Sequence, residues 1–397
     1  MANAGWNKDT RYALGWYRGL IRILGIWPLD SRGLFSTLRI LIVISIQIIL
    51  VAIFVQNWIV KGNCGTITEL VDAVSLITTS LMAVIKILLP SIHRNRVSSI
   101  VNSALQDWSD VEDKKSWEIM RRYAYIGRLV FIVQMFGAYM TIIPLILMSL
   151  PKFVEVEHLD NKSVFLRNIP IGPKCWVSLE ISALTYFLYY IFVCLHLFIL
   201  ATAYLGGDVF AFGLAMHLCG QFQLLYRSLD ELDGDETESI QRARVARFSK
   251  RHNQLLKLAD DFEAAFHMLI FFELGANTFI ISISEIILLW ACKVGDTQII
   301  SAMAIRIYLM YIQIFMYSYI GEHLSTQAEK LQVAIYNSPW YGMSPAIVRD
   351  MKFIMMRNNY LFHLTAGKIW NMDYENFKSI VRSMFSYFSI LRLILNE

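Results

Sequence analysis

Residues 34–58 read LFSTLRILIVISIQIILVAIFVQNW, with Arg39 the one charge in the stretch. A hydrocarbon core needs about 20 apolar residues of helix to cross it, and Leu34–Trp58 supplies them. Working outward, the same pattern recurs. Counting this one, trimmed to 36–58, spans are expected at 69–90, 126–149, 176–206, 263–291, 299–320 and 377–395. The whole chain is 56% hydrophobic and 17% charged, with a mean hydropathy of +0.46. A soluble domain is closer to half apolar and a quarter charged. Seven such segments would be hard to bury in one soluble core. The expected fold class is therefore an all-α membrane protein with seven transmembrane helices.

Basic residues fix the expected orientation, because they resist translocation. Lys8, Arg11, Arg18, Arg22 and Arg32 precede the first span. A further 6 Lys/Arg lie in 91–125, 7 in 207–262 and 5 in 321–376, against 1 in 59–68, 4 in 150–175 and 1 in 292–298. This sorting places the N-terminus in the cytoplasm and the C-terminus outside, which inverts the topology of a G-protein-coupled receptor. The chain then divides into a cytoplasmic N-terminal amphipathic segment (1–35), transmembrane helices one to four (36–206), a cytoplasmic helical extension with a charged loop (207–262), transmembrane helices five and six (263–320), a cytoplasmic segment (321–376) and a last helix (377–397). No cleavable signal peptide is read in the mixed first 35 residues, so the first span is expected to target the chain.

Local features add detail. Residues 10–26 place Tyr12, Gly15, Trp16, Gly19, Leu20, Ile23 and Ile26 near one helical face, ended by Pro28. Such a helix lies on the membrane surface or packs on the protein's own cytoplasmic side. Spans four and five are expected to continue beyond the bilayer, since Phe210, Leu214, Leu218, Phe222, Leu225, Leu255, Leu258, Phe262 and Phe266 keep helical spacing. The acidic run Asp230–Glu238 and the basic run Arg242–Arg251 between them form a solvated loop. Gly206-Gly207-Asp208 reads as a bend at the inner boundary. The longest outside loop holds the sequon Asn161-Lys162-Ser163, so Asn161 is a candidate glycosylation site. Cys64, Cys175 and Cys292 fall beside outside ends of spans. A disulfide between two of them is allowed there, but the sequence does not choose the pair.

Several function classes are excluded. There is no phosphate loop, no His-Glu-x-x-His and no Cys-x-x-Cys, so no catalytic, metal or cofactor site is expected. His196 and His217 read as core histidines on the fourth helix. A net charge of +4 without a basic patch argues against nucleic acid. Ionisable residues inside spans are costly and so informative: Asp72, Lys86, Arg128, Glu180, Glu273, Glu285 and Arg306. Arg306 and Glu285 lie deepest. They either hold the bundle as interhelical ion pairs or line a water-accessible pocket. The last span carries Ser379, Arg382, Ser383, Ser386 and Ser389 along one side, which suits a wet pore or a tight helix–helix contact.

Three C-terminal motifs carry a resemblance. They are Gly321-Glu322-His323-Leu324 with Ala334-Ile335-Tyr336 and Pro339-Trp340-Tyr341; Leu364-Thr365-Ala366-Gly367-Lys368; and Phe377 with Ser386-Tyr387-Phe388. With Leu24-Gly25-Ile26-Trp27-Pro28 near the start, the chain resembles the insect odorant receptor family. The resemblance implies a ligand-binding, tuning subunit of an odorant-gated, non-selective cation channel. It implies assembly with a co-receptor subunit, a heterotetramer, in the plasma membrane of a sensory neuron dendrite. The cytoplasmic ends of spans four to seven would form the anchor where subunits meet, and the last span would line the pore. There Ile390 and Ile394, four residues apart and so on one face, occupy the hydrophobic gate. The odorant pocket, for a volatile or hydrophobic molecule, is expected in the outer halves of spans two, three, four and six. Its candidates are Ser75, Leu76, Phe136, Tyr139, Met140, Ile143, Tyr186, Tyr189, Tyr190, Met303 and Arg306, an adaptable aromatic and Met-rich wall. The alternative is a seven-span G-protein-coupled receptor or a transporter.

Overall fold

The computed structural model describes residues 6–31, 33–62, 64–150, 155–156, 164–165, 168–177, 182–229, 237–358 and 362–396. Ten helices follow one another among them: α1 (Lys8–Ile23), α2 (Leu34–Lys61), α3 (Ile67–Ile92), α4 (Arg94–Asp110), α5 (Lys114–Met148), α6 (Ala183–Arg227), α7 (Glu238–Val294), α8 (Thr297–Asn337), α9 (Pro345–Asn358) and α10 (Tyr374–Asn396). Two short antiparallel pairs complete the described chain: β1 (Glu155–Val156) with β2 (Val164–Phe165), and β3 (Thr365–Ala366) with β4 (Trp370–Asn371).

The helices start where side chains can satisfy free backbone N–H groups. Thr66 and Glu69 form a capping box at α3, while Asp113, Ser182 and Asp296 cap α5, α6 and α8. Six described helices (α2, α3, α5, α6, α7 and α8) are long and apolar enough to cross a membrane. Their outward surface is apolar: Leu38, Ile42, Val133, Phe136 and Leu188 are all exposed. In water that would be costly, whereas lipid accepts it. The seventh helix of the set, α10, is shorter and carries Lys378, Arg382 and Arg392.

At about 1.5 Å per residue, the 45 residues of α6 and the 57 of α7 reach far beyond a hydrocarbon core of about 30 Å. The main core runs along the bundle, from Phe54 and Trp176 near the α2–α3 turn to the opposite end. There Phe210, Leu214, Leu218, Phe222, Leu225, Leu255, Leu258, Phe262 and Phe266 are all buried, together with Ile320, Leu324 and Leu331 of α8.

Three local expectations change. The first helix ends at Ile23, before Pro28. Gly25 turns left-handed (φ +81°), and the N–H groups of Gly25 and Ile26 donate back to Arg22 and Ile21, a glycine stop of the Schellman kind. This helix is packed on the protein: Ala13, Leu14, Tyr17 and Ile21 are buried against α5 and α6, while Trp16 is 42% and Ile23 67% exposed. The buried stripe therefore lies beside the one drawn from the sequence. The fourth span starts at Ala183, later than 176, because Lys174–Trp176 forms a 3-10 turn tied down by a disulfide. Gly206-Gly207-Asp208 makes no bend. It sits inside the continuous α6, where a Cβ on Gly206 would meet Leu20 at 2.6 Å and Gly207 lies against the Lys86 stem.

Cys64 and Cys175 form a disulfide that joins the α2–α3 turn to the loop before α6, 111 residues apart in sequence. Cys292 is free and exposed. Asn161, Glu180 and the acidic residues Asp230–Glu236 lie outside the described residues.

Candidate functional site

Between α3, α5, α6 and α8 lies a cavity of about 710 Å³, within the 300–1,000 Å³ usual for small-molecule sites. Its wall is mostly aliphatic: Leu76, Ile142, Leu145, Leu197, Leu200, Ala201, Ile280, Leu309 and Met310. The loop before α6 contributes Pro170 and Ile171. That loop is held by the disulfide, by Tyr186 donating to the Asn168 carbonyl (2.6 Å), and by Lys61 donating to the Trp176 carbonyl. The wall is open between α5 and α8, whose lining residues Val133 (62%), Ile305 (58%) and Leu309 (46%) are exposed.

Polar groups enter at two levels. Near the disulfide end, Arg306 of α8 pairs with Asp72 of α3. At the other end, Tyr204 and Gln313 line the cavity and belong to a buried charge cluster. Lys86 donates to Asp208 (2.7 Å) and lies 2.9 Å from Glu273, with all three side chains almost fully buried. Tyr204 donates to Glu273 at 2.7 Å, and its ring lies under the Lys86 ammonium at 3.5 Å. Gln313 and Tyr317 both donate to Asp208. One lysine thus faces two carboxylates. Hydrogen bonds from tyrosine and glutamine help to offset the cost of keeping these charges out of water.

The structure brings Ser75, Leu76 and Arg306 to the cavity wall. It places the other sequence candidates elsewhere. On α5, Phe136 and Met140 are half or more exposed and Ile143 is exposed, whereas Gln134, Gly137, Ala138, Thr141 and Ile142 form the wall. Two helix positions correspond to about 200° of rotation, so the expected face is nearly opposite the observed one. Lipid is as apolar as a protein core, so aromatic bulk is not drawn inward in a membrane, and small residues face the cavity instead. Tyr139 pairs with Thr202 (2.9 Å) and packs on Phe198. Tyr190 donates to the Ile146 carbonyl (2.9 Å), while Tyr186 and Tyr189 pack with Ile169 and Val177 over the loop. These tyrosines join α6 to its neighbours. Met303 is buried against Val71 and Ile287 beside the cavity.

Other residues were missed. Thr79, Gln134, Tyr204 and Gln313 line the cavity, and two glutamines inside otherwise apolar runs were a signal available in the sequence. Asp208, expected only as part of a bend, is instead the partner of Lys86 on α3, and a charge at the edge of a spanning segment calls for such a partner. Outside the apolar region, Asp107 of α4 accepts from Arg251 (2.6 Å) and pairs with His217 (3.1 Å). His217 is therefore a partner of a carboxylate. His196 is buried 3.2 Å from Ser80.

α10 touches α7 and α8 mainly through Phe377, Ile380 and Met384. Ser383, Ser386, Ser389 and Ile390 are exposed and have no covering element among the described residues. The side chain of Ile394 lies outside the described residues.

A family model described as "7tm Odorant receptor" matches residues 66–385. Along almost its whole length the chain is similar to Odorant receptor 46a, isoform B, of Drosophila melanogaster: 22% identical, covering 96% of this chain and 97% of that protein. A shorter stretch is 39% identical to Odorant receptor 47a of Drosophila melanogaster, covering 20% of this chain and 22% of that one. Another is 27% identical to Odorant receptor 10 of Aedes albopictus, covering 25% of that protein. In three dimensions the chain resembles the insect olfactory receptor OR5 from Machilis hrabei, with a TM-score of 0.75, 13% identity, and coverage of 97% and 99% of the two chains. The structure of that receptor in complex with eugenol matches equally well, with a TM-score of 0.75. At such identity the likeness establishes the fold alone, a seven-helix all-α one. Every helix that frames the cavity falls within the matched residues, and the chain belongs to the seven-transmembrane odorant receptor family.

Proposed function

We propose that this odorant receptor is the ligand-binding subunit of an odorant-gated, non-selective cation channel, assembled with a co-receptor as a heterotetramer in the plasma membrane. The observation that carries the reading is the pairing of an apolar cavity between spanning helices with a last helix largely exposed among the described residues. A cavity of this size and polarity takes a small hydrophobic molecule. Machilis hrabei OR5 has been solved with eugenol, which supports the same class of ligand here. The exposed face of α10 needs neighbours, and around a shared axis its serines would meet water. Ile390 and Ile394 would then form a dewetting gate.

Orientation follows the basic residues, with the N-terminus cytoplasmic and the C-terminus outside. The disulfide supports this, since such bonds persist in oxidising compartments and it lies at the end assigned outside. Segments 207–262 and 321–376 would then make the cytoplasmic anchor, and residues 377–397 the pore. A ligand in the cavity must bind the open state better than the closed one to shift the equilibrium. Ser75, Leu76 and Arg306 are its first candidate contacts.

Co-expression with a co-receptor tests the reading. A panel of volatiles should evoke a cation current that persists when G-protein signalling is blocked, and Ile390→Ser should raise basal current. Loss of the current on G-protein block, or epitope tags showing an outside N-terminus, overturns it.

A further inference from the structure

Where α1 meets the first turns of α5, cations and aromatic rings alternate. Trp117, Arg121 and Arg128 share one face of α5, and Tyr12 and Trp16 one face of α1. Arg121 lies 4.7 Å from the centre of the Trp117 ring and 5.5 Å from that of Tyr12. Arg128 lies 4.1 Å from Tyr12 and 4.2 Å from Trp16. The order Trp117, Arg121, Tyr12, Arg128, Trp16 makes a ladder that fixes two guanidinium groups in place. A ring attracts a guanidinium but offers it no oxygen acceptor. Arg128 Nη1 donates to the Tyr12 carbonyl (3.0 Å). Neither arginine pairs with a carboxylate among the described residues, Asp9 and Glu118 included. Arg121 is exposed and Arg128 half-buried. Both lie within 5.5 Å of the centre of one tyrosine ring, so two like charges are held close without a counter-charge. They repel until an anion joins them.

The place of the ladder identifies that anion. Before it on α5, Lys114, Lys115 and Glu118 are exposed, as is Arg122 beside Arg121. Beyond Arg128 the exposed residues are apolar: Leu129, Ile132, Val133 and Phe136. The ladder thus straddles one edge of the apolar band, the depth at which interfacial Trp and Tyr sit. We propose that Arg121 and Arg128 bind the headgroup of an anionic phospholipid. Its phosphate oxygens accept the free guanidinium N–H groups, and its tails lie along Leu129 and Ile132 of α5. Charge selects the headgroup, since the choline of a zwitterionic lipid would bring a third cation beside two unneutralised arginines. On the orientation proposed above, this edge faces the cytoplasmic leaflet, where anionic lipids give the surface its negative potential. The bound lipid then joins α1 to α5 from outside, as the ladder does from within.

The test titrates the detergent-solubilised receptor with phosphatidylglycerol, with phosphatidylcholine of the same acyl chains, and with glycerol phosphate, the headgroup chemistry without tails. Bound lipid is read by native mass spectrometry and its effect by the melting temperature. Phosphatidylglycerol should bind at concentrations at least about tenfold below phosphatidylcholine, as charge-assisted hydrogen bonds allow, and the margin should shrink as salt is raised. Arg121 is the residue to change, because Arg128 also ties the two helices through the Tyr12 carbonyl. Arg121→Gln should bring the two lipids to within about threefold, as expected when one of two charged donors is lost, whereas Arg121→Lys should keep part of the preference. Arg247→Gln, which removes an exposed charge from α7, should leave the preference unchanged. Equal binding of the two lipids by the natural receptor overturns the proposal, whatever the variants do. So does an unchanged preference in Arg121→Gln. Glycerol phosphate binding as tightly as phosphatidylglycerol would mean that the ladder takes a free phosphate ester, and overturns the lipid assignment. None of these readouts needs a current, so the channel reading stands or falls separately.

Discussion

At the scale of single residues, Lys86 has the most to lose. It is the one cation between Asp208 and Glu273 in the buried cluster. Removing one partner of a buried ion pair costs about 3–5 kcal/mol, because the charges left behind stay out of water. Lys86→Met should therefore sharply lower the melting temperature of the detergent-solubilised protein. Adding Asp208→Asn and Glu273→Gln should recover part of the loss. Arg22→Ala, which breaks the exposed Arg22–Asp30 bridge, should cost little by the same measurement. Asp107 gives the pH counterpart. Burial pushes its carboxyl up, but the hydrogen bond and charge of His217 and the charge of Arg251 outweigh that and hold it below its ordinary value of 3.8. A carboxyl held down in the fold stabilises at all pH values above its unfolded value, and the benefit fades as pH falls below 3.8. Asp107→Asn should thus lower stability at neutral pH and flatten the acid limb of the melting-temperature profile.

At the scale of elements, the C-terminal motifs turn out to be a packing device. Leu364–Lys368 makes β3 and a turn in which Gly367 and Lys368 both have positive φ, and the Gly367 N–H donates to the His267 carbonyl of α7. Gly321 of α8 lies so close to the residue after β4 that a Cβ there would lie 1.8 Å from the Met372 carbonyl oxygen. Gly321→Ala should cost at least the 1–3 kcal/mol typical of overpacking, roughly, and reduce folded receptor in size-exclusion profiles. Gly275→Ala on α7, with nothing within 4 Å, should be neutral. The long apolar helices were legible because hydropathy fixes their length. The continuation of α6 and α7 was legible because helical spacing of buried residues did not stop at 206 or restart at 263. The face of α5 was not legible: in lipid, apolar side chains are tolerated on either side, so periodicity does not say which side is inward. The partnership of Lys86 with Asp208 was hidden for another reason. It joins residues 122 apart, and nothing local announces which charge meets which.

At the scale of the whole molecule, one covalent tie closes the end of the bundle. Cys64–Cys175 links two turns 111 residues apart and holds the loop that brings Pro170 and Ile171 over the cavity. In the chain-entropy account a loop of this length gives a stabilisation of roughly 5 kcal/mol at most, through the unfolded chain. Cys64→Ser should lower the melting temperature accordingly. It should also weaken ligand-dependent stabilisation, because the covering loop is released, and Cys175 should become labelled by thiol reagents.

The gap between α5 and α8 decides from which phase a ligand of the proposed site would enter. Val133, Ile305 and Leu309 stand exposed along it on the apolar stretches of two spanning helices, so the doorway gives onto the bilayer interior. The membrane then acts as a reservoir in equilibrium with the water outside. Each added methylene enriches a molecule there by about 0.8 kcal/mol, close to fourfold. Along a homologous series that still fits, the threshold in water should fall by about that factor per carbon even if affinity inside the cavity stays constant. Responses to the longer members should outlast washout of the bath. Responses to the longer members that end as promptly on washout as those to the short ones would mean that ligands arrive from the aqueous side.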